Sequence, residues 1–503
     1  MVKLYLREFL SNSVVISHIR KPAYPPDPPF SPDIQYPECL FPENRGDRNP
    51  AYEAVRTSLA LAGYDSGNFG TPRWNPLLNF LRRGDVVLLK PNLVKENHPR
   101  DPEGWRYLVT HGSVVRAVSD YVFKAIGDKG RVVVADAPQT DSSFDAVVER
   151  TGLFVLRNFY RRHGFHFDVL DLRKEEWIAR DEVIIGRRPL SGDPEGYIAF
   201  DLGERSEFKG HGGGGRYYGA DYDSGEVNRH HMGGRHEYLV AGTAIRCNAF
   251  INLPKLKTHK KAGITVNLKN LVGVNGDKNW LPHHTVGYPG NGGDQYPSYN
   301  WKQRIEHTMA DSLRSASLRY PVVGTWLNRK AKRMGKNIFF GDTETVIRSG
   351  NWYGNDTTWR MCLDLNKIVL YGNPDGTLRE NRPENRKRFL SFVDGILAGE
   401  GSGPMNPDPK PVGVVVFGTD PGAVDAASAV LMGFDPDKIP IVRQGFHSRG
   451  FTISEGNWKD ILVRSNIPDW EGKLGEVYLQ GEVQDFVPHF GWKGHIENSR
   501  RTG

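Results

Sequence analysis

Short apolar runs that end abruptly in charged or amide residues constrain this chain more than any other feature. Val86–Lys90 (VVLLK), Arg131–Ala135 (RVVVA), Ala249–Leu253 (AFINL) and Val412–Phe417 (VGVVVF) are too short for typical helices. They are also too uniformly apolar for strands with one wet face, so they read as strands of a sheet covered on both sides. Ile368–Tyr371 (IVLY) is expected to be another. Longer segments of helical period lie between them. Ser113–Ile126 reads as a helix capped by Ser113 and stopped at Gly127. Asp420 is expected to cap another helix through Met432, with Pro421 at its first position and Gly433 at its end. The alternation predicts an α/β fold: a mainly parallel sheet with helices on both faces and a cleft at the strand carboxyl ends.

At 503 residues the chain has room for roughly three structural units. Residues 1–75 read as a proline-rich arm, because Lys21–Pro32 (KPAYPPDPPFSP) suits neither a helix interior nor a central strand. The α/β core is expected over 76–440, and 441–503 reads as a C-terminal extension without a motif. Two large loop insertions interrupt the core, at 186–242 and 273–340. The first is rich in glycine and histidine and too long for a plain connection, so a lid or cleft-lining role is expected.

The formal charge is +7, and one segment holds an equal excess. Between Lys302 and Lys336 nine basic residues face only Glu306 and Asp311. Its interspersed apolar residues (Leu313, Leu318, Trp326 and Leu327 among them) fit peripheral contact with an anionic membrane, whereas no nucleic-acid motif is present. A solvated face accounts for the same charges. Cys39, Cys247 and Cys362 are scattered, which gives no basis for an iron–sulfur cluster or a cysteine zinc site. Without an apolar run long enough to span a bilayer or a secretory leader, a cytoplasmic location is expected.

The densest chemistry lies in Lys255–Asn270 (KLKTHKKAGITVNLKN), which holds five lysines and no acid. Ammonium groups suit phosphate or carboxylate, and crowding by other cations can lower a lysine's pKa enough for catalysis. Lys255, Lys257 and Lys269 are expected to hold an anion. Lys257 and His259 are the catalytic candidates, the histidine because its ordinary pKa is near neutral. Lys90, Asn92, Asn267 and Asn270 are expected to bind polar substrate groups, with Asp136, Asp394, Asp420 and Asp425 positioning the lysines or a divalent ion. Four strand ends (after Lys90, at Asp136, after Leu253 and at Asp420) are expected to face one cleft. His230, His231, His236, His283, His284 and Asp294 supply donors for a divalent metal ion, although their spacing matches no established motif and hydrogen bonding would use them equally well. Gly399–Pro404 (GEGSGP) is a weak phosphate-loop signal, and GxSxG is absent.

LLKPNLV (88–94), the Thr110–His111 pair, VVVADAP (132–138), FINLPKLKTHKKAGITVNLKNLVG (250–273), VDGILAGEGSGP (393–404) and GTDPGAVDAASAVLMGF (418–434) together resemble the domain of unknown function family 362. The GDKNWLPHH block and the scattered cysteines resemble its longer subgroup without cluster-binding cysteines, for which the resemblance implies a link to bacterial surface polysaccharides. It implies no settled activity. The leading expectation is an enzyme acting on an anionic, phosphorylated or carboxylated small molecule or glycan precursor, with metal assistance left open. The alternative is a non-catalytic anion-binding or assembly factor, peripheral to a membrane.

Overall fold

The structure is a computed structural model describing residues 13–41, 48–180, 183–219, 223–299, 346–480 and 483–498. Its frame is one 11-stranded sheet. In chain order the strands are β1 (Ser13–His18), β2 (Val86–Pro91), β3 (Arg131–Asp136), β4 (His166–Asp171), β5 (Ala249–Leu253), β6 (Lys255–His259), β7 (Gly263–Thr265), β8 (Arg388–Ser402), β9 (Asn406–Gly418), β10 (Leu462–Ser465) and β11 (Gly472–Lys473). Across the sheet they run β11-β10-β1-β9-β8-β5-β2-β3-β4. From β8 to β4 every neighbour is parallel. The long strand β8 carries two partners end to end, since β5 pairs with its first part and β6 with its later part. Pro254, between them, cannot donate to the ladder but accepts from Asp394 N at 2.8 Å.

Alternation within the strands fills both sides. Val14, Ile16, Leu88, Phe250 and Val416 enter one core, whereas Val15, Val87, Leu89, Ile251 and Val415 enter the other. Each buried aliphatic contributes about 1.5–3 kcal/mol, and the helices divide accordingly. α1 (Pro50–Leu61) and α2 (Gly112–Ile126) cover the second face. α4 (Thr358–Tyr371) and α5 (Pro421–Leu431) cover the first, and the single turn α3 (Asn267–Asn270) sits between them and the sheet. The expected α/β fold with helices on both faces is therefore present.

Several expectations need correction. Ile368–Tyr371 is not a strand but the last turn of α4, whose Met361, Cys362, Leu363, Leu365 and Ile368 are all fully buried. A helix wrapped on every side has no polar stripe, so its apolar run cannot be told from a strand by period. α2 is capped by the His111 ring, whose Nδ1 accepts from Ser113 N at 3.2 Å, although the stop at Gly127 (φ +73°) is as expected. Residues 1–75 do more than cover, since β1 lies inside the sheet between β9 and β10. The extension supplies β10 and β11. β9 runs antiparallel to β8, with Ser391 opposite Gly418 and Asp394 opposite Val415. β9 thus arrives from the opposite direction, yet its last residue, Gly418, lies opposite Ser391, in the row that Ser391 shares with Asn252 and Lys90, and Asp420 follows two residues on. Val183–Pro189, which runs into the start of the first insertion at residue 186, pairs with Glu175–Arg180. The two insertions are joined by a short ladder of Tyr217–Tyr218 with His284–Thr285. The basic segment 302–336 lies outside the described residues.

Candidate functional site

At the end of β2, Leu88 and Lys90 share one face by alternation. The buried Lys90 Nζ lies 2.6 Å from Asp136 Oδ1 and donates to Pro91 O at 2.8 Å and Asn270 Oδ1 at 3.2 Å. Asp136 Oδ2 accepts from Leu93 N at 2.7 Å. Backbone seals the pair, since a Cβ at Gly273 would fall 1.9 Å from Asp136 Oδ1 and 2.5 Å from Lys90 Nζ. Only glycine fits there.

Lys255 is matched as well. Its Nζ lies 3.0 Å from Asp394 Oδ2 and 2.7 Å from the Tyr24 hydroxyl. Tyr24 donates to Asp394 Oδ1 at 2.5 Å, and His111 N donates to Oδ2 at 3.0 Å. Tyr24 also stacks on the His111 ring at 4.0 Å. Lys255 and Asp394 are completely buried, and two of the three Lys255 N–H donors are engaged, by Asp394 and Tyr24.

An amide ladder places α3 above the strand ends. Asn92 Nδ2 donates to Asn270 Oδ1 at 2.9 Å, Asn270 Nδ2 to Asn252 Oδ1 at 2.7 Å, and Asn252 Nδ2 to Asn267 O at 2.9 Å. From α5, Asp425 receives Asn267 N at 2.7 Å and Leu268 N at 3.1 Å. Burial pushes its carboxyl up to about 8. Asn267, Asn270 and Asp425 thus orient α3, and Asn92 Oδ1 is left as a buried acceptor without a partner among the described residues. Asp420 instead caps α5 through Ala423 N at 2.9 Å. It does not join the lysines.

The remaining lysines are unmatched. Lys257, completely buried, donates to Leu108 O at 2.6 Å and Pro404 O at 3.2 Å. Lys278, on the single turn Lys278–Trp280, donates to Val272 O at 3.0 Å and Asn275 O at 3.3 Å. Lys269, on α3, has no hydrogen-bond partner among the described residues. None of the three has a carboxylate at salt-bridge distance among those residues. Burial lowers all three pKa values, Lys257 well below its usual range and Lys278 to about 7. Lys269 is the common neighbour: its charge acts on Lys90, Lys257, Lys278, His259 and His283.

His259 differs from its expected role. Its Nδ1 accepts from Lys261 N at 3.0 Å and Ala262 N at 3.1 Å, which puts the ring proton on Nε2. Burial, reinforced by Lys269, holds its pKa well below the usual value, so at neutral pH it is a neutral Nε2–H donor.

The six residues read as metal donors do not converge as one set, although the rings of His231 and His236 lie 5.8 Å apart. His230 bridges Glu226 and Glu237 and stacks on Trp280 at 3.4 Å. His231 bonds Trp280 O at 2.8 Å, and His236 stacks on Phe208 at 5.5 Å; the Nδ1 atoms of these two are buried without partners. His283 bonds Leu281 O at 2.9 Å and His284 approaches Lys261 Nζ at 3.3 Å, while Asp294 binds Thr285 N and Thr357 Oγ1. Among the described residues no group of three or more His, Cys, Asp or Glu is placed to hold a metal ion. A separate cleft of about 420 Å³, lined in part by Trp359, Arg360, Arg443 and Arg449, shares no residue with the lysine cluster. The glycine run ends the β8–β9 hairpin, where a Cβ at Gly403 would lie 2.0 Å from Thr258 O.

Lys278 and Tyr24 are the residues that sequence reasoning passed over. Lys278 stands inside the GDKNWLPHH block, whose two histidines drew attention away from it. Tyr24 is hidden in the proline-rich arm, and no local pattern links it to Asp394, 370 residues away.

Two comparisons bear on this site. The profile described as "Domain of unknown function (DUF362)" matches residues 162–430, a span containing β5–β8, α3 and the unmatched lysines. The chain is also similar to the "Thylakoid-associated protein sll1697" of Synechocystis sp. (strain ATCC 27184 / PCC 6803 / Kazusa), at 25% identity over 362 residues, covering 72% of this chain and 67% of the relative.

The lowered lysines make stability pH-dependent. Lys278 has a pKa of about 7 when folded against 10.5 as its ordinary value, so between these values the unfolded chain holds a proton that the folded chain has released. Stability therefore rises with pH across that window. Thermal unfolding should give a Tm that climbs from pH 7 to about pH 9, with a shallower climb in Lys278→Met. An identical slope in both proteins would contradict the assignment.

Proposed function

The chain belongs to the DUF362 family, and we propose that it is an enzyme acting on an anionic small molecule bound at the lysine cluster beyond the carboxyl ends of β2, β3 and β5. The observation that carries this reading is the set Lys257, Lys269 and Lys278, buried with no carboxylate beside them among the described residues. Three buried cations destabilise a fold unless they lose protons or gain a counter-anion. A ligand would supply that anion. Lys269, with no internal hydrogen bond among the described residues, would contact it directly. His259 Nε2–H would donate to it, and Lys257, whose lowered pKa leaves a neutral amine available at moderate pH, would carry the proton transfer. Lys90 and Lys255, already paired, would hold the site's shape. The phosphorylated or carboxylated nature of the substrate and any divalent ion belong to the same proposal.

Isothermal titration with inorganic phosphate tests it. Wild-type protein should bind, and Lys269→Met should weaken binding by about tenfold or more, equivalent to about 1.4 kcal/mol, without a fall in Tm. Lys459→Met, far from the cluster, serves as the control. Equal affinity in Lys269→Met and wild type would refute the site.

One observation favours a non-catalytic binding or assembly factor instead: both backbone donors on His259 Nδ1 occupy the lone pair that a general base would use. On that reading ligand binding persists with no turnover of any bound compound. The nine basic residues of 302–336 and the thylakoid-associated relative support peripheral attachment to anionic lipid, each basic residue near the surface contributing about 1 kcal/mol. Vesicles with phosphatidylglycerol should then co-sediment the protein at low salt and release it at high salt. Protein left in the supernatant with these vesicles at low salt would end this reading.

A further inference from the structure

We propose that the group recognised at the lysine cluster is a diphosphate, held across Lys257, Lys269 and Lys278. This rests on the anion-binding reading above and narrows it to one chemistry.

Charge matching is the first argument. Lys90 has Asp136 and Lys255 has Asp394, so these two pairs are neutral, and the three remaining lysines, protonated around a bound anion, set the demand, Asp136 reaching Lys257 and Lys278 only beyond salt-bridge distance. A single phosphate ester brings about −1.5 to −2 charges at neutral pH, which leaves roughly one lysine unmatched in a buried site. Two linked phosphoryl groups bring roughly three charges. They match the set.

The second argument concerns the type of donor. The guanidinium fork grips carboxylate and phosphate in two-pronged fashion, whereas ammonium groups are point charges, a common way of binding the separate oxygens of phosphate. The guanidinium that acts on Lys278 is Arg173, and it is fully engaged: it pairs with Asp171 at 2.7 Å and donates to Gln139 O, Thr140 O and Ser142 O. What the cluster offers is lysine ammonium groups and the His259 Nε2–H.

The third argument is placement. Lys257 comes from β6, Lys269 from α3 and Lys278 from the turn after α3, so the three reach the site from different elements. Lys269 acts electrostatically on both of the others.

Isothermal titration at constant ionic strength, in the presence of chelator, compares inorganic pyrophosphate, inorganic phosphate and citrate. Pyrophosphate should bind about tenfold tighter than either of the others, and Lys278→Met should weaken pyrophosphate binding by a larger factor than it weakens phosphate binding. Pyrophosphate binding no tighter than phosphate, or citrate binding tighter than pyrophosphate, would overturn the diphosphate assignment and leave the anion site standing. No binding of any of the three would overturn both. Because the wild-type comparison alone decides the point, a misfolded variant does not weaken the test.

Discussion

The buried Lys255–Asp394 pair is the interaction on which the rest of the architecture turns. Asp394 lies in β8 opposite the kink at Pro254, and it gathers the amine of Lys255, the hydroxyl of Tyr24 and the backbone N–H of His111. The N-terminal arm, the start of α2, and the junction of β5 with β6 therefore meet at one carboxylate. Removing one partner of such a pair typically costs about 3–5 kcal/mol, because the other is left charged and dry. The pair explains why an irregular proline-rich stretch is tied to the middle of the sheet, 370 residues away in sequence.

That economy of carboxylates creates the site. Lys90 takes Asp136 and Lys255 takes Asp394, while Asp420 and Asp425 are committed to helix backbone. No acid remains for Lys257, Lys269 or Lys278 among the described residues, although all are buried. A fold selected for stability alone would favour apolar side chains at those positions. Burial lowers the pKa of all three, with Asp136 acting on Lys257 and Lys278 in the other direction, and clusters of perturbed groups of this kind are candidate functional sites.

Much of this was legible in the sequence, and the illegible parts share a cause. β2, β3 and β5 were readable because parallel strands buried on both faces have no polar alternation and end in the polar residues that line the cleft. The Lys255–Asn270 block was readable because five lysines without an acid is rare. Ile368–Tyr371 misled because α4 is buried on every side and its apolar run carries no helical stripe. The antiparallel direction of β9 is set by its hairpin with β8, which local composition does not encode. The pairing of Lys255 with Asp394 and Tyr24 is long-range and has no local signal. The near-neutral pKa expected for His259 gave way to burial and the surrounding lysines.

A crystal soaked in tungstate, a heavy analogue of phosphate, tests the central claim most directly through its anomalous signal. The account predicts a peak within hydrogen-bonding reach of Lys269 Nζ, flanked by Lys257 and Lys278. Tungstate bound only elsewhere, for instance in the cleft beside Arg443 and Arg449, with the lysine cluster vacant, would contradict it.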